Sequence, residues 1–137
     1  MLARLLRLIA RRRPCALVRV EIATAAGPTY LDLEIADQRW RRALGLMGRT
    51  QIGAADGMLF VYPRPRRVRL WMAHTALSLD AIFVDGNGCI LKIAHQLQPN
   101  ARRWVCSDKP VKWVLEIAGG QALQRGIAAG DQLRLCT

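Results

Sequence analysis

The feature that most limits what this chain can become is a two-residue alternation of side chains that begins after Pro14 and keeps restarting. Leu17, Arg19, Glu21 and Ala23 interleave with Val18, Val20 and Ile22. After the turn signal Ala26-Gly27-Pro28, Leu31, Leu33 and Ile35 share one face while Asp32 and Glu34 take the other. That period is the mark of a strand with one buried face, and the short Gly-Pro connection predicts a hairpin. No long segment with helical periodicity separates consecutive strands, so a parallel βαβ array is not expected.

The rest of the chain follows the same plan. Gly57–Tyr62 reads as a compact buried strand, and Pro63 and Pro65, which lack an amide donor, are expected to end it. Extended structure resumes over Val68–Met72. Leu79–Val84 and Cys89–His95 flank Asp85-Gly86-Asn87-Gly88, a strong hairpin turn. Val111–Ala118 is apolar and β-rich, and Gln132–Leu135 forms a last strand after Gly130-Asp131. One helix is predicted over Gln38–Met47, capped by Asp37, with Trp40, Ala43, Leu44 and Met47 on its core face. One helical turn is predicted over Ala122–Arg125. Seven or eight short strands with one or two short helices indicate a mainly β (α+β) protein, an antiparallel barrel-like or sandwich core. At 137 residues, 52% hydrophobic and 23% charged, the chain is long enough for one core and too apolar for disorder. Residues 15–137 read as a single globular domain and residues 1–14 as a basic N-terminal segment.

Charge is unevenly spread. The formal net charge is +11, and more than half of it lies in residues 1–20, which hold six arginines and no acid. Leu2, Leu5, Leu6 and Ile9 fall at helical spacing with Arg4, Arg7 and Arg11 between them. This basic amphipathic pattern suits weak contact with an anionic membrane surface, against a plain reading as an inert terminus. Arg7 cuts the apolar run and no A-x-A follows, so a secretory leader is not expected. The chain reads as cytoplasmic, with a periplasmic or membrane-peripheral location as the alternative, and as a monomer. Cys15, Cys89, Cys106 and Cys136 form no C-x-x-C and no zinc spacing with His74 or His95. They read as buried free thiols, and neither a metal nor another cofactor is expected.

Chemistry concentrates in one segment. Trp71, Met72, His74, Thr75, Ser78 and Asp80 fall within ten residues at a strand–loop–strand junction, where a rigid scaffold commonly carries a site. Trp offers an apolar wall with one donor, His titrates near neutrality and Asp accepts hydrogen bonds. Trp71, Met72, His74, Thr75 and Asp80, with Arg42, are the candidate ligand-binding residues, and a small polar or anionic molecule is the ligand that suits a basic chain. The leading reading is a binding or accessory module; the alternatives are an enzyme using His74 and Asp80, or a membrane-surface envelope protein. No G-x-S-x-G elbow supports a Ser78-centred hydrolase, and Asp56, Asp80 and Asp85 make no D-x-D-x-D cation loop. Arg64, Arg66, Arg67 and Arg69, with Arg102 and Arg103 beside Trp104, have the composition of a surface for single-stranded nucleic acid. With two tyrosines, two phenylalanines and no RNA-binding signature, that partner is not expected.

Six segments taken in order carry a resemblance: Arg42-Ala43-Leu44-Gly45-Leu46-Met47, Gly57-Met58-Leu59-Phe60, Trp71-Met72-Ala73-His74-Thr75, Leu79 to Asp85 with Gly88, Val114-Leu115-Glu116 with Ala118-Gly119, and Gly126-Ile127 with Gly130-Asp131. Their order and spacing over residues 17–136 resemble domain of unknown function 192, a family of small bacterial and archaeal proteins. The resemblance implies a mostly β fold with short helices. It implies no reaction, because none is established for the family. The family usually has Trp-Met-Lys-Asn-Thr where this chain has Trp71-Met72-Ala73-His74-Thr75, so a role resting on that Lys-Asn pair does not transfer.

Overall fold

A computed structural model describes residues 16–136. In chain order the elements are β1 (Leu17–Thr24), β2 (Gly27–Ala36), α1 (Arg39–Leu44), β3 (Gly57–Arg66), β4 (Arg69–Leu70), β5 (Leu79–Val84), β6 (Ile90–Leu97), β7 (Val105–Cys106), β8 (Val111–Ala118), α2 (Gln121–Gln124) and β9 (Gln132–Leu135). Strands take 49% of this and helices 8%, so the alternation decides the class. Seven strands form one sheet in the order β6-β5-β8-β3-β2-β1-β9, and β4 pairs with β7 in a separate ribbon.

The alternation sets which side chains turn inward. Val20, Ile22, Leu31 and Leu33 are buried, and the β1–β2 register places Val20 opposite Leu31 and Val18 opposite Leu33. The sheet has a core on each face. One cluster gathers Val20, Ile22, Leu31, Leu33, Leu59, Ile82, Leu115 and Ile117, closed by Ala122 of α2, Ile127 and Leu133. The other gathers Met58, Phe60, Leu46, Met72, Phe83 and Val114, beneath the segments that hold α1 and β4. β5 carries residues to both clusters, which is why all six of its residues are buried and why it reads as a continuous apolar run. The sheet curls until its ends meet, at the Cys89–Gln132 bridge and its neighbouring bonds, Leu133 N–H to Gly88 C=O at 2.8 Å and Ile90 N–H to Asp131 C=O at 2.9 Å. Contact at that point alone does not close it into a barrel.

Several expectations need correction. The sheet is not wholly antiparallel: β2 and β3 run parallel, Leu33 beside Gly57 and Ala36 beside Phe60, because residues 37–56 are long enough to carry the chain back to the same end. β3 does not stop at Tyr62. It continues through Pro63 and Pro65 to Arg66, with its pairing to β8 jumping from Val61–Trp113 to Arg66–Val111. β2 pairs only as far as Phe60, so the prolines lie at an irregular, one-sided stretch where no ladder donor is required. The Lys112 ammonium donates there to the carbonyls of Tyr62 and Pro63. The helix of residues 38–47 shrinks to Arg39–Leu44; Gln38, not Asp37, is its cap, and only Leu44 is buried. Gly45, at φ 49°, ends it in the left-handed region that glycine enters freely. Val68–Met72 pairs only over Arg69–Leu70, with a two-residue strand at Val105–Cys106 that no alternation in the sequence marks. The thiols are not buried: Cys89 and Cys106 are partly exposed and Cys136 is exposed. Cys15 and the basic segment 1–14 lie outside the described residues.

Candidate functional site

The structure separates the predicted site residues. Asp80, on β5, is fully buried. Its carboxylate accepts hydrogen bonds from the amides of Gln96 at 2.7 Å, Gly120 at 3.0 Å and Ala122 at 2.9 Å. Gly120 is the N-cap of α2 but has no side chain, so Asp80 supplies the cap from a neighbouring strand. Met72 belongs to the second core cluster. His74 is exposed, at φ 59°, and its backbone carbonyl accepts from Gly48 N–H at 2.9 Å. Among the described residues, neither His74 nor Asp80 lines the cavity that Trp71 lines. Trp71, Thr75 and Arg42 do share one.

That cavity, of about 210 Å³, lies on the α1 side of the sheet. One wall is the end of α1 and the chain after it, Arg42 to Met47; the floor is Phe60 and Glu116; the far wall is Arg69, Trp71, Thr75 and Trp104. The far wall is stiffened by aromatic stacking. Trp71 and Trp104 lie with ring centroids 4.8 Å apart and planes 4° apart, and the Arg69 guanidinium sits 4.9 Å from the Trp104 ring centre, a cation–π contact. Trp104 is 51% exposed, so this wall reaches the surface. Arg42 is held by its backbone contacts, donating to the carbonyls of Asp37 at 2.8 Å and Val61 at 3.0 Å, and lies 5.3 Å from the ring centre of Tyr62. Burial pushes the Tyr62 phenol up, partly offset by Arg42.

Glu116 sets the chemistry. It lies on β8 opposite Met58 of β3 and Ala81 of β5, in the middle of the sheet. Leu115 and Ile117 point to the first cluster and Glu116 to the opposite face, with Val114 and the cavity. Only 9% of it is exposed, and its carboxyl has no hydrogen-bond or ion-pair partner among the described residues. Desolvation pushes its pKa up to about 7, because a low-dielectric surrounding penalises the charged form. The arginines contrast with one another. Arg19, Arg49, Arg125 and Arg134 each meet a carboxylate, respectively Asp32, Glu34, Asp56 and Glu21. Among the described residues Arg42 and Arg69, in the cavity wall, meet none.

Sequence reasoning missed Glu116 as a site residue. The signal was present: a single acid among Val114, Leu115 and Ile117 in a strand flanked by apolar neighbours. A larger groove of about 600 Å³ runs between β6 and β7, lined by Lys92, His95 and Cys106 among others. Its lysine is occupied, donating to Cys106 C=O at 2.8 Å and Asp108 at 2.9 Å. Among the described residues no cluster of His, Cys, Asp and Glu could hold a metal ion, and no helix is long and apolar enough to cross a membrane.

One curled sheet with a core on each face and a polar cavity over one of them defines a small α+β protein of a recurrent build. The chain belongs to the domain of unknown function 192 family, described as “Uncharacterized ACR”, whose model matches residues 20–135. A solved structure from Sinorhizobium meliloti 1021, named a “putative transcription regulator”, is 34% identical with a TM-score of 0.85, covering 90% of this chain and 97% of its own. A protein of unknown function from Novosphingobium aromaticivorans DSM 12444 is 32% identical with a TM-score of 0.83, covering 88% and 86%. No curated protein matches. The departure at Ala73-His74 is intelligible in this fold: at φ 59°, position 74 needs a residue that tolerates the left-handed region, and asparagine and histidine both do.

Proposed function

We propose that the protein is a binding module for a small polar ligand, seated in the cavity above Glu116. One observation carries this reading: a buried carboxyl with no partner among the described residues lines an open cavity. Buried polar groups are nearly always hydrogen-bonded, and leaving one unmet costs about 1–3 kcal/mol. A ligand offering a donor to Glu116 and an apolar edge to Trp71 and Phe60 removes that cost. The mix of apolar wall and few convergent polar groups is that of small-molecule sites generally. The enzyme reading built on His74 and Asp80 lacks a shared site, since the Asp80 oxygens are taken up by backbone amides. The described helices have six and four residues, too short to serve as a major-groove recognition helix.

The test is a fragment titration of protein carrying ¹³C-labelled glutamate, with tryptophan fluorescence as a second readout. The expected result is a Glu116 carboxyl that titrates near neutrality and shifts saturably with some members of a library of small amines, amides and polyols. A Glu116 signal that no compound moves at about 10 mM, a concentration that reveals even millimolar affinity, sinks the reading.

A further inference from the structure

The charge layout of the cavity names a ligand class. Its inner end is one carboxyl, 9% exposed and unpartnered. Its rim is two guanidiniums, the partly exposed Arg42 and the exposed Arg69, neither paired with a carboxylate among the described residues, although Arg19, Arg49, Arg125 and Arg134 are. Arg42 is also pre-positioned, by two backbone carbonyls, so little side-chain freedom is lost when it binds. Between the two ends the walls are apolar and aromatic, Phe60 and Trp71 with Trp104 behind it.

Each simple ion fits half of this arrangement. A monoanion satisfies the rim and leaves Glu116 facing an apolar tail. A monocation satisfies Glu116 but must pass two guanidiniums and leaves both unmatched. A molecule with a cation at one end and an anion at the other meets every charged group present. A carboxylate is well matched to guanidinium, which presents a planar fork of donors, and an ammonium is matched to a buried carboxyl, which only accepts when ionised. The volume, about 210 Å³, is that of several water molecules at roughly 30 Å³ each, and so of one small organic molecule. We propose that the cavity takes an amino-acid-like zwitterion, its ammonium inward on Glu116 and its carboxylate outward on Arg42 and Arg69. The assignment rests on the binding reading above and states which polar ligand it concerns.

The experiment uses the whole unsubstituted chain and five compounds: glycine, 4-aminobutyrate and 6-aminohexanoate as zwitterions of increasing length, and pentanoate and butylamine, which replace one charged end of 4-aminobutyrate by methyl. Tryptophan fluorescence and the amide shifts of Thr75 and Glu116 report binding. At least one zwitterion should bind ten-fold or more tightly than both pentanoate and butylamine. Glu116→Gln should abolish its advantage over pentanoate, and Arg69→Gln its advantage over butylamine. Equal binding of pentanoate, or of butylamine, overturns the zwitterion while the shifts still place a ligand in the cavity. No shift with any of the five also overturns it, and the wider fragment titration then decides separately whether the cavity binds anything. The comparison among compounds needs no variant, so a Glu116→Gln protein that fails to fold leaves it intact.

Discussion

Asp80 and Glu116 are two buried carboxyls one step apart in the same pair of strands: Asp80 faces Ile117 and Ala81 faces Glu116 across β5 and β8. Among the described residues Asp80 is met by the amides of three residues from two different segments, and Glu116 by none. The first ties α2 and β6 to the sheet. The carboxyl of the second ties no segment to the sheet and sits at a cavity. Burial of an acid is therefore ambiguous, and its hydrogen-bond partners separate an acid that ties the architecture together from one left unmet at a cavity.

The comparison can be broken most forcefully at Asp80. Asp80→Ala orphans the amides of Gln96, Gly120 and Ala122, each worth about 1–3 kcal/mol when buried and unmet; the expected loss is several kcal/mol, read as a fall in the urea midpoint. A loss under about 1 kcal/mol, within the range of ordinary surface changes, would dissolve the contrast. A pH series sharpens it next. Glu116 has a folded pKa of about 7 against an ordinary 4.5, so between those values the folded chain holds a proton that the unfolded chain has released. Stability must then fall as pH rises through that window and level off above it, by about 3 kcal/mol in all at 1.36 kcal/mol per unit. Glu116→Gln should flatten the slope, and an unchanged slope in that variant rules Glu116 out as its source. The smallest effect belongs to Arg69. With no carboxylate partner among the described residues and one exposed stacking contact, Arg69→Gln should leave the free protein's stability, read from its thermal midpoint, within about ±0.5 kcal/mol, even as it weakens zwitterion binding. A large destabilisation would make Arg69 a structural residue like Arg49, which pairs with Glu34.

Local pattern made most of the sheet legible. Period-two runs located β1, β2 and β6, apolar runs and turn signals located β5, β8 and β9, and the Asp85–Gly88 turn formed as expected, with the Asp85 carboxylate accepting from Asn87 and Cys89 amides at 2.9 Å. What was hidden was non-local. The amides that occupy Asp80 lie as far as 42 residues away in sequence, so its density of polar neighbours between Trp71 and Asp80 looked like chemistry. Glu116 looked like one polar residue of a strand, because nothing near it in sequence reveals that α1 and the Trp71 wall leave a hole above it. Pro63 and Pro65 misled for a similar reason: a proline forbids a paired strand on its donor side, but the place where a partner strand stops is fixed by topology.

The pairing of β1 with β9 has a consequence for how the molecule comes into being. Arg134 and Glu21, joined across that pair, are 113 residues apart in sequence, and the same late segment brings Gln132 to Cys89. A ribosome releases residue 21 long before residue 134, so through most of synthesis one edge of β1 waits with open backbone groups, an invitation to foreign strands. Contacts of such long reach also slow folding, because a large loop must close before they are made. The curled sheet is thus completed late, from its two most distant parts, and the interval before β9 arrives is when this protein has most to gain from a chaperone.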